Sequence, residues 1–199
     1  MNNKWYSLLQ KEFLAIAIIA IAHTISIGFT KSIITPFQMD YFPEIAAFAA
    51  LFFLPHGVRI LAAWYFGWRS VIYLFLANCF SSVLFYNDDP WTWTLFASYM
   101  IVSTVAIITF ELFRISGWNL YAKGETKPYQ VWKSLVLIGI VSSILNSLAF
   151  NILYRNDILP ENSIGTMFSY MIGDSTGTFA LVLLLAFVWG VKLKPSRND

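Results

Sequence analysis

Four ionisable residues stand inside apolar runs of this 199-residue chain: His23, His56, Arg59 and Asp174. A charge in a bilayer core is costly unless paired or hydrated, so each is a candidate functional residue. Arg59 cannot shed its charge by deprotonation. A carboxylate at the same depth can neutralise it through two parallel hydrogen bonds, and Asp174 is the most economical partner. Such a pair has two uses. It can line a ligand pocket or respond to protonation, or it can only fix helix register. At 1.5 Å per residue, all four lie about 12 to 18 Å from the ends of their apolar runs, near the middle of a core about 30 Å thick. Asn78 and Asn146 fall within a turn or two of that level, so a polar layer crosses most of the bundle. His23, with Thr24 and Ser26, reads as a hydrogen-bonded neutral side chain. No two of these groups have metal-ligand spacing on one helix, so neither a metal nor a cofactor is expected.

The residues around these groups shape the backbone. In Leu54-Pro55-His56-Gly57-Val58-Arg59, Pro55 lacks an amide hydrogen and clashes with the preceding turn. The helix is expected to kink or break there, with Gly57 loosening the same turn. The carbonyls so freed, residues 51–53, must find partners or line a wet cavity. In Gly173-Asp174-Ser175-Thr176-Gly177 the glycines are four apart on one face, which permits close helix packing. Ser175, Thr176 and Thr178 add hydroxyls, and Asp174 calls for Arg59 or His56 as its partner. Glu111 and Arg114, three apart, can pair locally or snorkel.

The elements that must hold these groups follow from composition. Hydrophobic residues are 58% of the chain, aromatics 18% and charged residues 12%, with a formal net charge of +2. Charges are too few to coat a water-facing surface, which excludes a disordered chain, a basic nucleic-acid binder and an ordinary soluble enzyme. Cys79 is the single cysteine, so no internal disulfide exists. Apolar runs at about 13–30, 42–68, 70–86, 91–115, 131–153 and 166–191 predict an all-α polytopic membrane protein. It is one integral membrane domain, 1–199, a bundle of about six transmembrane helices. No apolar–polar alternation supports a transmembrane barrel.

Lys4, Lys11, Arg69, Lys123, Lys127, Lys133, Lys192, Lys194 and Arg197 fall on one side of a six-span layout. Only Lys31 and Arg155 fall on the other. The positive-inside rule then places both termini in the cytoplasm and the chain in the inner (plasma) membrane. Asp88 and Asp89 sit in the outer turn between spans three and four. Trp5, Trp68, Trp91, Trp93, Trp118 and Trp132 lie near span ends, where an aromatic belt belongs. Ala20-Ile21-Ala22 resembles a signal-peptide cleavage pattern. A retained signal anchor is favoured, because cleavage would remove Lys4 and Lys11 and weaken the charge asymmetry.

Residues 53–69, with Pro55, Gly57, Gly67 and Arg69, and residues 170–177, with Asp174 and Gly177, resemble the bacterial membrane-associated sensor domain that precedes diguanylate cyclases and histidine kinases. The likeness covers about 40 residues and the general layout. His56 and Arg59 depart from it, standing where small or apolar residues are expected. It implies a signal-transduction role, a small ligand or membrane state as stimulus, and a partner that supplies the output, since these residues encode no output domain. A second, architectural likeness is to the substrate-binding subunits of energy-coupling-factor vitamin transporters. No nucleophile elbow, P-loop, dinucleotide fingerprint or zinc-protease motif occurs, so no enzymatic activity is expected. Three readings follow: a membrane sensor acting on a partner, a substrate-binding or transport subunit, and a structural or assembly protein. Beyond the lipid bilayer, the first two call for a protein partner or a small ligand, and none calls for nucleic acid.

Overall fold

The computed structural model describes residues 2–41, 50–85, 92–121, 128–155 and 160–192. All regular structure among them is helical. Helix α1 (Asn2–Phe29) passes through a π turn (Thr30–Ile34) into α2 (Thr35–Tyr41). The wide turn immediately precedes Pro36, which has no amide hydrogen and crowds the carbonyl four residues back. Then come α3 (Leu54–Phe66), α4 (Arg69–Phe85), α5 (Trp93–Ile115), α6 (Pro128–Leu153) and α7 (Pro160–Lys192).

Among the described residues, four stretches are long and apolar enough to cross a membrane: Trp5–Tyr41, Trp93–Ile115, Val131–Leu153 and Ser163–Val188. The apolar α4 has 17 residues, about 25 Å at 1.5 Å per residue and slightly short of a 30 Å core. The expected second span differs more. Its first part, 42–49, lies outside the described residues, as do Trp91, Asp88, Asp89, Lys123 and Lys127. Residues 50–53 are not helical, and α3 starts at Leu54 with Pro55 in its first turn. A missing amide hydrogen costs nothing there, because first-turn amides have no partner within the helix. Pro55 thus begins a half-length helix. The first span is longer than expected, since the stretch read as a connection after residue 30 stays helical through Tyr41.

Helix α3 forms the centre. It packs against α1, α4, α5, α6 and α7, and from Pro55 to Ile60 every residue is buried. Ile60 and Ala63 join Ala106, Ile107 and Phe110 of α5, Leu135 and Ile138 of α6 and Val182 of α7 in one apolar cluster. Ala62 joins Ala15 and Ile19 of α1 and Tyr73, Leu74 and Ala77 of α4 in a second. Outside this core the helices expose large apolar side chains along their length, such as Ile18, Ile25, Phe80, Leu148 and Leu184. That surface suits a lipid bilayer and not water.

Polar ties mark the ends of the bundle. Glu12 of α1 pairs with Arg69 and accepts from Tyr73 of α4. Lys31 Nζ donates to the Phe85 carbonyl at 3.1 Å. Glu12 and Lys31 bracket about 28 Å of helix at 1.5 Å per residue, close to one core thickness. Glu111 pairs with Arg114, as their spacing predicts, and accepts from Tyr121 Oη at 2.6 Å. Burial and the Glu111 carboxylate raise the Tyr121 pKa above its ordinary value. The α3–α4 hairpin closes through Gly67, whose φ of 56° and ψ of −138° suit only a residue without Cβ. Its carbonyl accepts from both the amide and the hydroxyl of Ser70.

Candidate functional site

The site is built where α3 begins. Residues 50–53 lie along the glycine face of α7. Phe53 N donates to the Gly173 carbonyl at 2.9 Å. The Thr176 hydroxyl reaches the Leu51 carbonyl at 2.5 Å, and Leu51 N donates to Gln38 Oε1 at 2.7 Å. A Cβ on Gly173 would stand 2.0 Å from the Ala50 carbonyl oxygen, and one on Gly177 2.1 Å from that of Phe53. The small residues of α7 thus admit irregular backbone, and the hydroxyl of Thr176 and the carbonyl of Gly173 satisfy part of it. Non-helical backbone at membrane depth is tolerated only where protein or a wet cavity surrounds it.

This docking sets Asp174 beside the first turn of α3. Its Oδ2 lies 3.3 Å from His56 Nδ1 and accepts from Asn146 Nδ2 of α6 at 2.6 Å. His56 is 0% exposed and Asp174 2%. The His56 contact is ionic in distance but off-line in direction, and neither ring nitrogen completes a directed hydrogen bond. First-turn amides of α3 add partial positive charge where the carboxylate sits. Gly57 admits α7 from the other direction: a Cβ there would meet Leu181 at 2.9 Å and Thr178 at 3.2 Å. Gly139 of α6 likewise abuts Thr178, at 2.6 Å from such a Cβ. Three helices therefore converge on the His56–Asp174–Asn146 cluster because small residues let their backbones approach.

Arg59, one turn along α3, is buried, and its guanidinium lies 5.3 Å from the Phe53 ring centroid, a cation–π distance. The expected Arg59–Asp174 ion pair is absent among the described residues, where His56 and Asn146 are the carboxylate's partners. Asp174 meets His56 and Asn146, while the Arg59 guanidinium lies against the Phe53 ring.

His23 belongs to a neighbouring group on α1 and α4, with Nδ1 3.2 Å from Ser81 Oγ, which Thr24 Oγ1 approaches at 3.0 Å. Asn78 is buried, but its amide donates to the Leu74 carbonyl of its own helix at 2.7 Å. Ser143 of α6 and Ser175 of α7 bond across at 2.9 Å. Gly139, Gln38 and Ser81 were not singled out by sequence reasoning. For Gly139 a signal existed: Gly139, Ser142, Asn146 and Ser147 recur at helical spacing on the sixth helix. Gln38 carried none, since its role depends on where the fold places Leu51. No group of three His, Cys, Asp or Glu side chains among the described residues is arranged to hold a metal ion.

Comparison with known proteins adds no identity: no family model, curated protein or solved structure matches the chain.

Proposed function

We propose that this chain is a non-enzymatic sensory or regulatory membrane protein that acts through a partner. The carrying observation is the placement of the buried His56–Asp174 pair. It joins the first turn of α3 to the stretch of α7 that holds residues 50–53. A small ligand or a change of membrane state that alters this cluster acts directly on backbone docking, and the central α3 touches five other helices. The motif residues Pro55, Gly57, Gly67, Arg69, Asp174 and Gly177 and their likeness to membrane-associated sensor domains support the same reading. The basic-residue asymmetry supports an inner-membrane location with cytoplasmic termini. The test is complementation of a deletion strain with Arg59→Ala, His56→Gln and Asp174→Asn variants shown to be inserted and folded. Loss of partner-dependent signalling is expected in each. Full signalling with Arg59 and Asp174 both made apolar would leave the cluster a packing role only.

One observation favours a second reading, a substrate-binding or transport subunit. A half-length helix preceded by non-helical backbone inside the bundle is a common setting for transporter sites. Copurification of a small molecule, lost in Arg59→Ala, would select this reading.

A further inference from the structure

Helices α6 and α7 form the closest-packed pair in the bundle, yet they part toward the end where α6 begins and α7 finishes. The gap is a narrow apolar groove of about 90 Å³, lined by Trp132 and Val136 of α6 and by Phe179, Val182, Leu183 and Ala186 of α7. From Phe179 to Ala186 it runs about 10 Å along α7 at 1.5 Å per residue. It is bordered by helices whose outward side chains face the bilayer, such as Leu137, Ile140, Leu184 and Phe187. Its apolar lining suits a hydrocarbon segment.

The rim of the groove has a charge. Lys133 follows Trp132, is exposed, and holds its Nζ 5.7 Å from the Trp132 ring centroid. Lys192 closes α7 six residues beyond Ala186, and in the sequence Lys127 precedes α6 and Lys194 and Arg197 follow α7. Lys133 thus stands at the rim of an apolar slot, beside the Trp132 ring that lines it. Basic sites between transmembrane helices at a membrane face select anionic lipid headgroups, and a juxtamembrane Lys or Arg contributes about 1 kcal/mol to such attraction.

We infer that the α6–α7 groove is a binding site for an anionic glycerophospholipid, with one acyl chain along Val136, Phe179 and Leu183 and the phosphate at Lys133 beside Trp132. The site is separate from the His56–Asp174 cluster and independent of the sensory reading.

The test is native mass spectrometry of the full chain released from bilayers of equal phosphatidylglycerol and phosphatidylcholine with matched acyl chains. Wild type is expected to retain phosphatidylglycerol preferentially, by several-fold. Lys133→Gln should lose that preference while still retaining lipid. Ala186→Trp, which fills the slot from a partly apolar rim, should retain one lipid fewer. Leu148→Trp, on an exposed face elsewhere on α6, is the control for nonspecific effects and should behave as wild type. Equal retention of the two lipids by wild type would overturn the proposal. So would Ala186→Trp retaining lipid as wild type does, the outcome expected of annular lipid only. Melting temperature in the same bilayers checks that both groove variants are folded. If Ala186→Trp does not fold, Val136→Trp blocks the slot from α6 with the same expectation.

Discussion

Helix α1 spans 28 residues and exposes apolar side chains such as Phe13, Ile18 and Ile25 along its length. Helix α3 has 13 residues, is buried continuously from Pro55 to Ile60, and carries in that stretch a proline, a histidine, a glycine and an arginine. In water the two would exchange places. In a bilayer the solvent is as apolar as a leucine side chain, so exposing Ile18 costs little, whereas an arginine must be hidden among protein groups. The contrast shows which helix can vary freely and which cannot. It also puts His56 and Arg59 in an element too short to span a membrane by itself.

The largest effect should follow removal of the carboxylate at the centre. Asp174→Ala leaves the Asn146 amide without its acceptor and His56 without its ionic neighbour, and should cost about 3–5 kcal/mol, read by reversible unfolding in mixed micelles. Asp174→Asn should cost clearly less, because it keeps a hydrogen-bonding oxygen beside Asn146. Equal losses would mean that the charge, and not the hydrogen bond, holds the cluster.

Next, Ile60→Ala in α3 should cost about 2–5 kcal/mol, the range for a fully buried aliphatic truncation. Ile18→Ala on the lipid face of α1 should cost well below about 1 kcal/mol, since lipid replaces lipid. Similar losses at both sites would erase the comparison and indicate that an unseen partner covers α1.

Gly177→Ala would push a methyl group into the Phe53 carbonyl. It should cost about 1–3 kcal/mol, the usual penalty of overpacking, or more because backbone must move. Gly165→Ala on the same helix meets open space and should be neutral or stabilising by up to about 1 kcal/mol, as helix propensity predicts. Loss at 177 with gain at 165, both by thermal unfolding, would localise the constraint to the docking of residues 50–53.

The smallest effect lies outside the core. Tyr121, whose pKa is raised in the folded state, contributes stability that is fully present below its unfolded value of about 10 and is lost as pH rises through that value toward the folded one. Tyr121→Phe should flatten this alkaline loss in an unfolding series against pH. Unchanged alkaline sensitivity would assign it to another group.

Much of the helical layout was legible in the sequence. The runs at 70–86, 91–115, 131–153 and 166–191 correspond to α4 to α7 with ends differing by a few residues. Long apolar stretches admit one backbone solution in lipid, which is why hydropathy located them. For the second run a kink or a break at Pro55 was expected, and hydropathy could not choose between them because it does not register where backbone leaves the helix. Pro55 signalled the disturbance but not its form, since the same residue kinks a helix interior or starts a new helix. For the candidate site, His56, Asp174 and the glycines of α7 were visible as costly or small residues at membrane depth. Which of Arg59 and His56 would meet Asp174 was not.

The amino-acid sequence by itself determined that this chain forms apolar helices suited to a bilayer, and that a few ionisable residues lie at mid-depth within them. Composition and helical rise suffice for that, because both act along a single segment. Tertiary structure decided that α3 is the central, half-length helix, that Asp174 takes His56 and Asn146 as partners, and that Gly173 and Gly177 receive the backbone of residues 50–53. Depth along a helix specifies neither its rotation nor its neighbours. Those depend on packing small residues against backbone between segments more than a hundred positions apart.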